Sequence, residues 1–441
     1  MSTSVVVLTW FTFLLMTLLI FWRPNRLNEA VPAIIGAVLV LLYGAVPLSD
    51  LGHILNTVSG AAVTIIATIV MANVLESLGF FNWIAQKIMV WAKGSGYRLF
   101  WYVNLLCFLM TLFFNNDGSI LITTPILLIL LKQFGLKARQ QIPYLMSGAL
   151  VATASSAPIG VSNIVNLISL QIVGLDLYKQ TAMMFVPTAL GLLLMVLLLF
   201  LVFYKDLPKK LRSVPPHLSM RNTSQQQQSR SRLMYNVFLF VLGVRLSLFI
   251  GSFFGVPVSV MAVFGSLVLL GWRWWKMKIP PTDLFRKTPW HIFVFAFGMY
   301  VQIFALHNIG FTAGLIHFVE PIVQRGHLDA TLIIGGLVTA LSSLFNNHPG
   351  LMIGTLVLTN MSLDPITEQI LYLASVIGSD VGSLLLPIGT LASLIWMHLL
   401  KQARIKLSWV DYMKVSLLII PPTVLFMLFG LHVWVEWLFV S

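Results

Sequence analysis

Charge is scarce in this chain. Asp, Glu, Lys and Arg supply 9% of its 441 residues, against about 25% in a soluble domain, so most of the fold cannot face water. Cysteine is scarcer still. Cys107 stands alone, which excludes an intrachain disulfide and any thiolate metal cluster. The nine histidines show no H-E-x-x-H spacing, and no metal site is expected. There is no G-x-x-x-x-G-K-[ST] phosphate loop and no G-x-S-x-G element, so neither ATP hydrolysis nor a serine hydrolase is read from this chain. An enzyme is therefore set aside, and no cofactor is expected.

What is abundant is apolar: 58% of the residues are hydrophobic. Runs at 5–22 and 183–204 are long enough to cross a hydrocarbon core of about 30 Å. They predict an all-α polytopic protein, multi-pass in the plasma membrane. The first run reads as a retained span, because no small-residue cleavage site precedes Arg23.

The pattern predicts ten spans. Those of the first half lie near 4–22, 30–47, 57–78, 142–173 and 182–204, and those of the second near 234–250, 257–272, 290–307, 368–400 and 413–439. Segments 98–131 and 330–358 read as re-entrant helical hairpins, since each carries its polar residues in the middle. Amphipathic stretches at 80–93 and 312–325 precede them and read as scaffolding arms, Trp83 and Trp91 suiting the interface. Each half is then three spans, a hairpin and two spans. Five crossings per half is odd, which predicts inverted repeats: 1–204 and 234–441, joined by a cytoplasmic linker over 205–233 rich in Pro, Gln and basic residues. The positive-inside rule fits this layout with the N-terminus outside. Of the 27 Lys and Arg, only Lys179 and Arg325 then fall outside, and Arg245 lies within a span. Orientation accounts for the +13 charge, and nucleic-acid binding is not needed.

The halves also share sequence. LFFNNDG at 112–118 returns as SLFNNHPG at 343–350, and Gly79-Phe80 returns as Gly310-Phe311, both at a spacing of 231 residues. Pro158-Ile159-Gly160 matches Pro387-Ile388-Gly389. Polar tips inside apolar hairpins mark a binding site, because interrupted helices leave backbone groups that need partners or a wet cavity. The first tip holds Asn115, Asn116, Asp117 and Gly118; the second holds Asn346, Asn347, His348, Pro349 and Gly350. The Asn side chains supply donors and acceptors for substrate, although helix capping is the competing structural reading. Asp117 offers a transferable proton, as does His348, which titrates near neutrality but is more often a hydrogen-bonding fixture. In the broken spans, Ser162 and Asn163 follow the first Pro-x-Gly, and Thr390 follows the second. Unwound backbone there would face a ligand. Asp380 is the second intramembrane carboxylate, and it shares with Asp117 the strongest case for proton coupling. Glu76 reads as interfacial. Arg245 reads as pairing between helices or snorkelling before anion binding.

On these residues the chain resembles the arsenite and antimonite efflux permease family, within a wider superfamily of anion carriers. The likeness is densest at GFFNW (79–83), FFNNDGSILITTPI (113–126), VSNIVNLIS (161–169), PWHIFVFAFGMY (289–300) and LPIGTLASLIWMHLL (386–400). The resemblance implies a proton-driven exporter of trivalent arsenite or antimonite, in some members with a separate soluble ATPase. It also implies two re-entrant hairpins facing two unwound helices. Ser379 stands where the family pattern carries a cysteine before its aspartate, so recognition here falls to Asn, Ser and Thr rather than a thiol. The leading expectation is proton-coupled efflux of arsenite, antimonite or a related small oxyanion. The alternative is a sodium- or proton-coupled carrier of an organic acid such as citrate. A channel is disfavoured by tips that meet and occlude. Expected partners are the small-molecule or oxyanion substrate, the lipid bilayer, a soluble ATPase and a second copy in a homodimer.

Overall fold

The computed structural model describes residues 2–24, 27–211 and 224–440, with backbone alone at 224–227, 285 and 440. The described residues are helical throughout, without strands. Nine of their helices are long and apolar enough to cross a membrane. The first half runs α1 (Thr3–Trp22), α2 (Ala30–Leu42), α3 (Asp50–Ser77), α4 (Phe80–Ala92), α5 (Gly96–Phe113), α6 (Asn116–Gln133), α7 (Ala138–Ala154), α8 (Ile164–Val173) and α9 (Leu177–Phe203). The second runs α10 (Ser224–Phe253), α11 (Val258–Met277), α12 (Thr282–Lys287), α13 (His291–Asn308), α14 (Phe311–Val323), α15 (His327–Phe345), α16 (Asn347–Thr359), α17 (Pro365–Asp380), α18 (Leu391–Gln402) and α19 (Trp409–Val435). Apart from α12, the order of elements repeats: three helices, a short arm, a hairpin, a broken helix and a long last helix.

Helical hairpins stand at the expected places, α5/α6 and α15/α16, and broken helices at α7/α8 and α17/α18, although α5 and α15 are each long and apolar enough to cross a membrane by themselves. The arms are α4 and α14. Each arm follows a glycine in the left-handed region, Gly79 at φ 77° and Gly310 at φ 92°. That conformation is costly for residues with a Cβ, which gives the repeated Gly-Phe its physical reason. Trp83 is half-buried against α10, its Nε1 donating to Ser231 Oγ at 3.2 Å. α10 begins at Ser224, ahead of the expected 234, so the end of the 205–233 stretch is helical. Gln, Ser and Arg tolerate a helix, and the span carries them beyond its apolar part. Residues 212–223 of that stretch lie outside the described residues.

The two halves are interleaved rather than side by side: α2 packs on α13, α3 on α11 and α9 on α19. Lipid tails are as apolar as leucine, so close packing and interhelical hydrogen bonds do the work. Small residues of α2 let α13 approach, and Gln302 Nε2 donates to the Ala33 carbonyl at 2.8 Å. The outer faces of α1, α9 and α19 stay apolar, with Phe11, Leu193 and Leu418 among the large exposed side chains.

Candidate functional site

Both hairpins turn on their Asn pairs. Asn115 leaves α5 in extended backbone and caps α6, its Oδ1 accepting from Gly118 N at 3.1 Å. Asn116 Oδ1 accepts from Asp117 N at 2.8 Å. Asn346 likewise caps α16. Its backbone sits at φ 85°, ψ 153°, a region that costs a non-glycine residue about 1–3 kcal/mol. A clamp holds it there: the next amide, Asn347 N, donates to Gly389 O at 2.8 Å. The first Asn of each pair thus does the capping expected of the structural reading.

The broken spans stop at Ala154 and Asp380. Each continues through a 3-10 turn, Gly160–Ser162 or Gly382–Leu385, before a new helix starts. Asn163 caps α8. Thr390 caps α18, accepting from Ser393 N at 3.0 Å. α8 packs on α16 and α6 on α18, so each hairpin's returning helix meets the half-helix of the other repeat.

At that crossing lies Asp380, fully buried. Its Oδ1 accepts from Asn163 Nδ2 at 2.9 Å and its Oδ2 from Asn166 Nδ2 at 2.7 Å. Asp380 ends α17, where the helix dipole is unfavourable for an anion. It also faces the first turn of α8, where the dipole is favourable. Ser379 Oγ donates to Asn347 O at 3.2 Å, and Ser343 Oγ to Gly382 O at 3.1 Å. A Cβ at Gly389 would run into the Ser383 carbonyl. Gly389→Ala must therefore move the backbone that holds Asn347. Overpacking of this kind costs about 1–3 kcal/mol, and transport in everted vesicles is expected to fall about ten-fold or more. Gly52→Ala, with open space around it, serves as the control that keeps wild-type transport.

Asp117 occupies a different environment. It is half-buried and lines a cavity of about 320 Å³ together with Asn115, His348 and Leu391. Glu29, Lys287 and His291 also line it. Burial pushes the Glu29 carboxyl up, but the hydrogen bond with His291 and the charge of Arg23 outweigh it and hold Glu29 below its usual range. Glu29 is a fixed anion at neutral pH. His348 is buried, with Nδ1 3.0 Å from Asn347 Oδ1 and its ring edge-on to Phe295. Around tips and breaks, Asn346 Nδ2, Asn347 Nδ2, Ser119 Oγ, Ser162 Oγ, Ser342 Oγ and Ser383 Oγ are buried without a partner among the described residues. Buried polar atoms rarely stay unpaired, so this zone is built to hydrogen-bond something polar.

Of the candidate residues, Asn115, Asp117 and His348 share the cavity, Asn163 meets Asp380, and Asn347 joins the second break. Asn116 is buried at the first tip, and Thr390 is turned to its own helix. Asp117 and Asp380 are not hydrogen-bonded to each other among the described residues. Asn166, the second donor to Asp380, appears in the sequence only within the VSNIVNLIS stretch, with no role read for it. Its spacing of three from Asn163, one helical turn, was the available signal. Arg245 is 4% exposed. It has no carboxylate partner among the described residues. Instead Nε donates to Phe113 O at 2.7 Å and Nη2 donates to Phe114 O, so it caps the open end of α5 and braces the first tip.

Two hairpins meeting two broken helices around a buried carboxylate, inside an apolar helical bundle, define a multi-pass membrane transport protein. The family described as ArsB, arsenical pump membrane protein, matches residues 8–435, and the chain belongs to it. A Bacillus subtilis (strain 168) protein provisionally named arsenical pump membrane protein is 56% identical over 438 residues, covering 97% of this chain and 99% of that protein. The arsenical pump membrane protein of Escherichia coli (strain K12) is 30% identical over 411 residues, 93% of this chain and 94% of its own. That of Yersinia enterocolitica is 31% identical over 411 residues, with the same coverage.

Proposed function

We propose that this chain is a secondary active carrier that exports arsenite and antimonite in exchange for protons. The observation that carries this reading is the crossing of the two breaks. A carboxylate from one half is held by two amides of the other, in a zone where buried Asn and Ser atoms lack protein partners. Arsenous acid is neutral and small at pH 7. Its three hydroxyls would be matched by the amides of Asn346 and Asn347 and the hydroxyl of Ser162, which can donate and accept. Family membership supports the substrate class.

In this reading the halves are inverted repeats, and the cavity mouth at Glu29, Lys287 and His291 faces the cytoplasm. Asp117 is the carboxylate in reach of water, so it releases its proton inward as substrate enters. Asp380 is occluded, and its bonds to Asn163 and Asn166 must rearrange when the halves rock. Glu29, ionised throughout, sets the field at the mouth rather than carrying protons. The gradient supplies the energy; use of a soluble ATPase would appear as ATP-stimulated uptake once that subunit is added.

Cells with and without the gene are expected to differ in arsenite and antimonite accumulation, and not in citrate accumulation. A difference confined to citrate would replace the substrate assignment. Asp117→Asn is expected to make vesicle uptake independent of the imposed pH difference, while arsenite counterflow persists. Undiminished pH-driven uptake in that variant would remove Asp117 from the coupling path.

A further inference from the structure

A second cavity, of about 640 Å³, lies between the halves, at the start of α7, the end of α9 and the loop from α18 into α19. It shares no lining residue with the cavity that holds Asp117. Four cations line it: Arg139, Arg404, Lys406 and Lys414. Two carboxylates, Asp206 and Asp411, oppose them. Asp411 is already engaged at the start of α19, its Oδ2 accepting from Ser408 Oγ at 2.6 Å. All four cations are exposed, and among the described residues none is in an ion pair. Excess positive charge left unpaired at one concave place attracts anions.

The rest of the lining is apolar. Ile142 and Val415 are half-buried and Phe203 is buried. Close by, α9 and α19 turn Leu201 and Leu418 outward, 69% and 61% exposed. The cavity therefore sits where the lipid-facing surface gives way to a charged rim. Arg404 holds φ 60° just past the end of α18, a place where glycine would be unstrained. An arginine kept there at a conformational cost puts its guanidinium on the rim.

We propose that this cavity binds the phosphate headgroup of an anionic phospholipid, with an acyl chain against Ile142, Phe203 and Val415. Basic pockets between membrane helices suit such headgroups. A free anion would have no use for the apolar wall. The site touches α7 and α9 of one half, and α19 and the loop before it in the other. A lipid seated there bridges the halves whose broken helices meet at Asp380, and it biases their relative arrangement.

The full-length chain, purified in detergent, can be titrated with phosphatidylglycerol and read by native mass spectrometry. Wild type is expected to retain phosphatidylglycerol in preference to phosphatidylcholine. Removing a basic residue near a lipid surface weakens binding about five-fold, so the double variant R404Q/K406Q is expected to bind roughly thirty-fold more weakly. R404K/K406R is expected to bind as wild type does. Lys406→Gln alone, at an exposed position, covers the case of a double variant that misfolds and is expected to lose about five-fold. In liposomes, phosphatidylglycerol is expected to raise wild-type transport over phosphatidylcholine alone, and the double variant is expected to lose that response. Equal retention of the two lipids, unchanged affinity in the glutamine variants, or displacement of the lipid by millimolar inorganic phosphate would each overturn the assignment, the last pointing to a soluble phosphate ligand.

Discussion

Asp380→Asn is expected to abolish pH-driven uptake into everted vesicles while the protein stays folded in the membrane. The separation of these two effects follows from the partners. Asn163 Nδ2 and Asn166 Nδ2 both donate to the carboxylate. An amide in its place offers one acceptor and one donor, so one of the two would face a donor. Asn163 is fixed, because its own Oδ1 caps Val165 N. Asn166 is free to turn: its Oδ1 is buried without a partner among the described residues, and a flip would let it accept from the new amide. The variant then keeps two hydrogen bonds and loses only the charge and the exchangeable proton. Asp380→Ala differs. It orphans both donors, each at about 1–3 kcal/mol, and its level in the membrane is expected to fall. Thermal melts of the two variants beside the uptake assay separate the roles. Wild-type pH-driven uptake by Asp380→Asn would exclude this carboxylate from coupling.

Arg245→Met is expected to have the second-largest effect, and through structure rather than chemistry. The guanidinium satisfies the Phe113 and Phe114 carbonyls at the open end of α5. Each such charge-assisted bond contributes about 1.5–3 kcal/mol, and at membrane depth water is not there to replace it. Loss of both frees the first tip, including Asn115 and Asp117, from α10. Hydrogen exchange across 113–118 is expected to rise sharply, the melting temperature to fall, and transport to be lost with it. Arg245→Lys keeps the charge but not the fork that spans two carbonyls, so it should land in between. Exchange at 113–118 unchanged in Arg245→Met would show that the tip is held by other means.

Arg245 also marks the limit of reading the chain alone. A lone arginine in a span announces a buried requirement, but not which one. Its partners lie 131 and 132 residues away and are backbone carbonyls of phenylalanines, groups that every residue has. The Asn pairs were visible as a repeat, yet their division of labour was not. The first asparagine of each pair caps, but from different backbones, φ −159° at Asn115 and 85° at Asn346, and the second is held by the bond from Asn347 N to Gly389 O. The two aspartates looked equivalent as buried carboxylates. Packing separated them, one beside a cavity and one sealed between half-helices.

The sequence by itself determined the class of fold: apolar runs of spanning length, two polar interruptions 231 residues apart, and a Pro-x-Gly a few residues past the ends of α7 and α17. These are local properties. Twenty apolar residues have nowhere to go but a membrane core, and Pro with Gly in a polar stretch disfavours a continuous helix, although Pro143 and Pro187 stand inside α7 and α9. Only the tertiary structure decided the site, because the site is made between elements. Asp380 acquires Asn163 and Asn166 from the other half, over 200 residues distant. The rim of Arg139 and Lys406 comes together from separate repeats. Such pairings are fixed by how interleaved helices close against each other, and local hydropathy carries no record of that geometry.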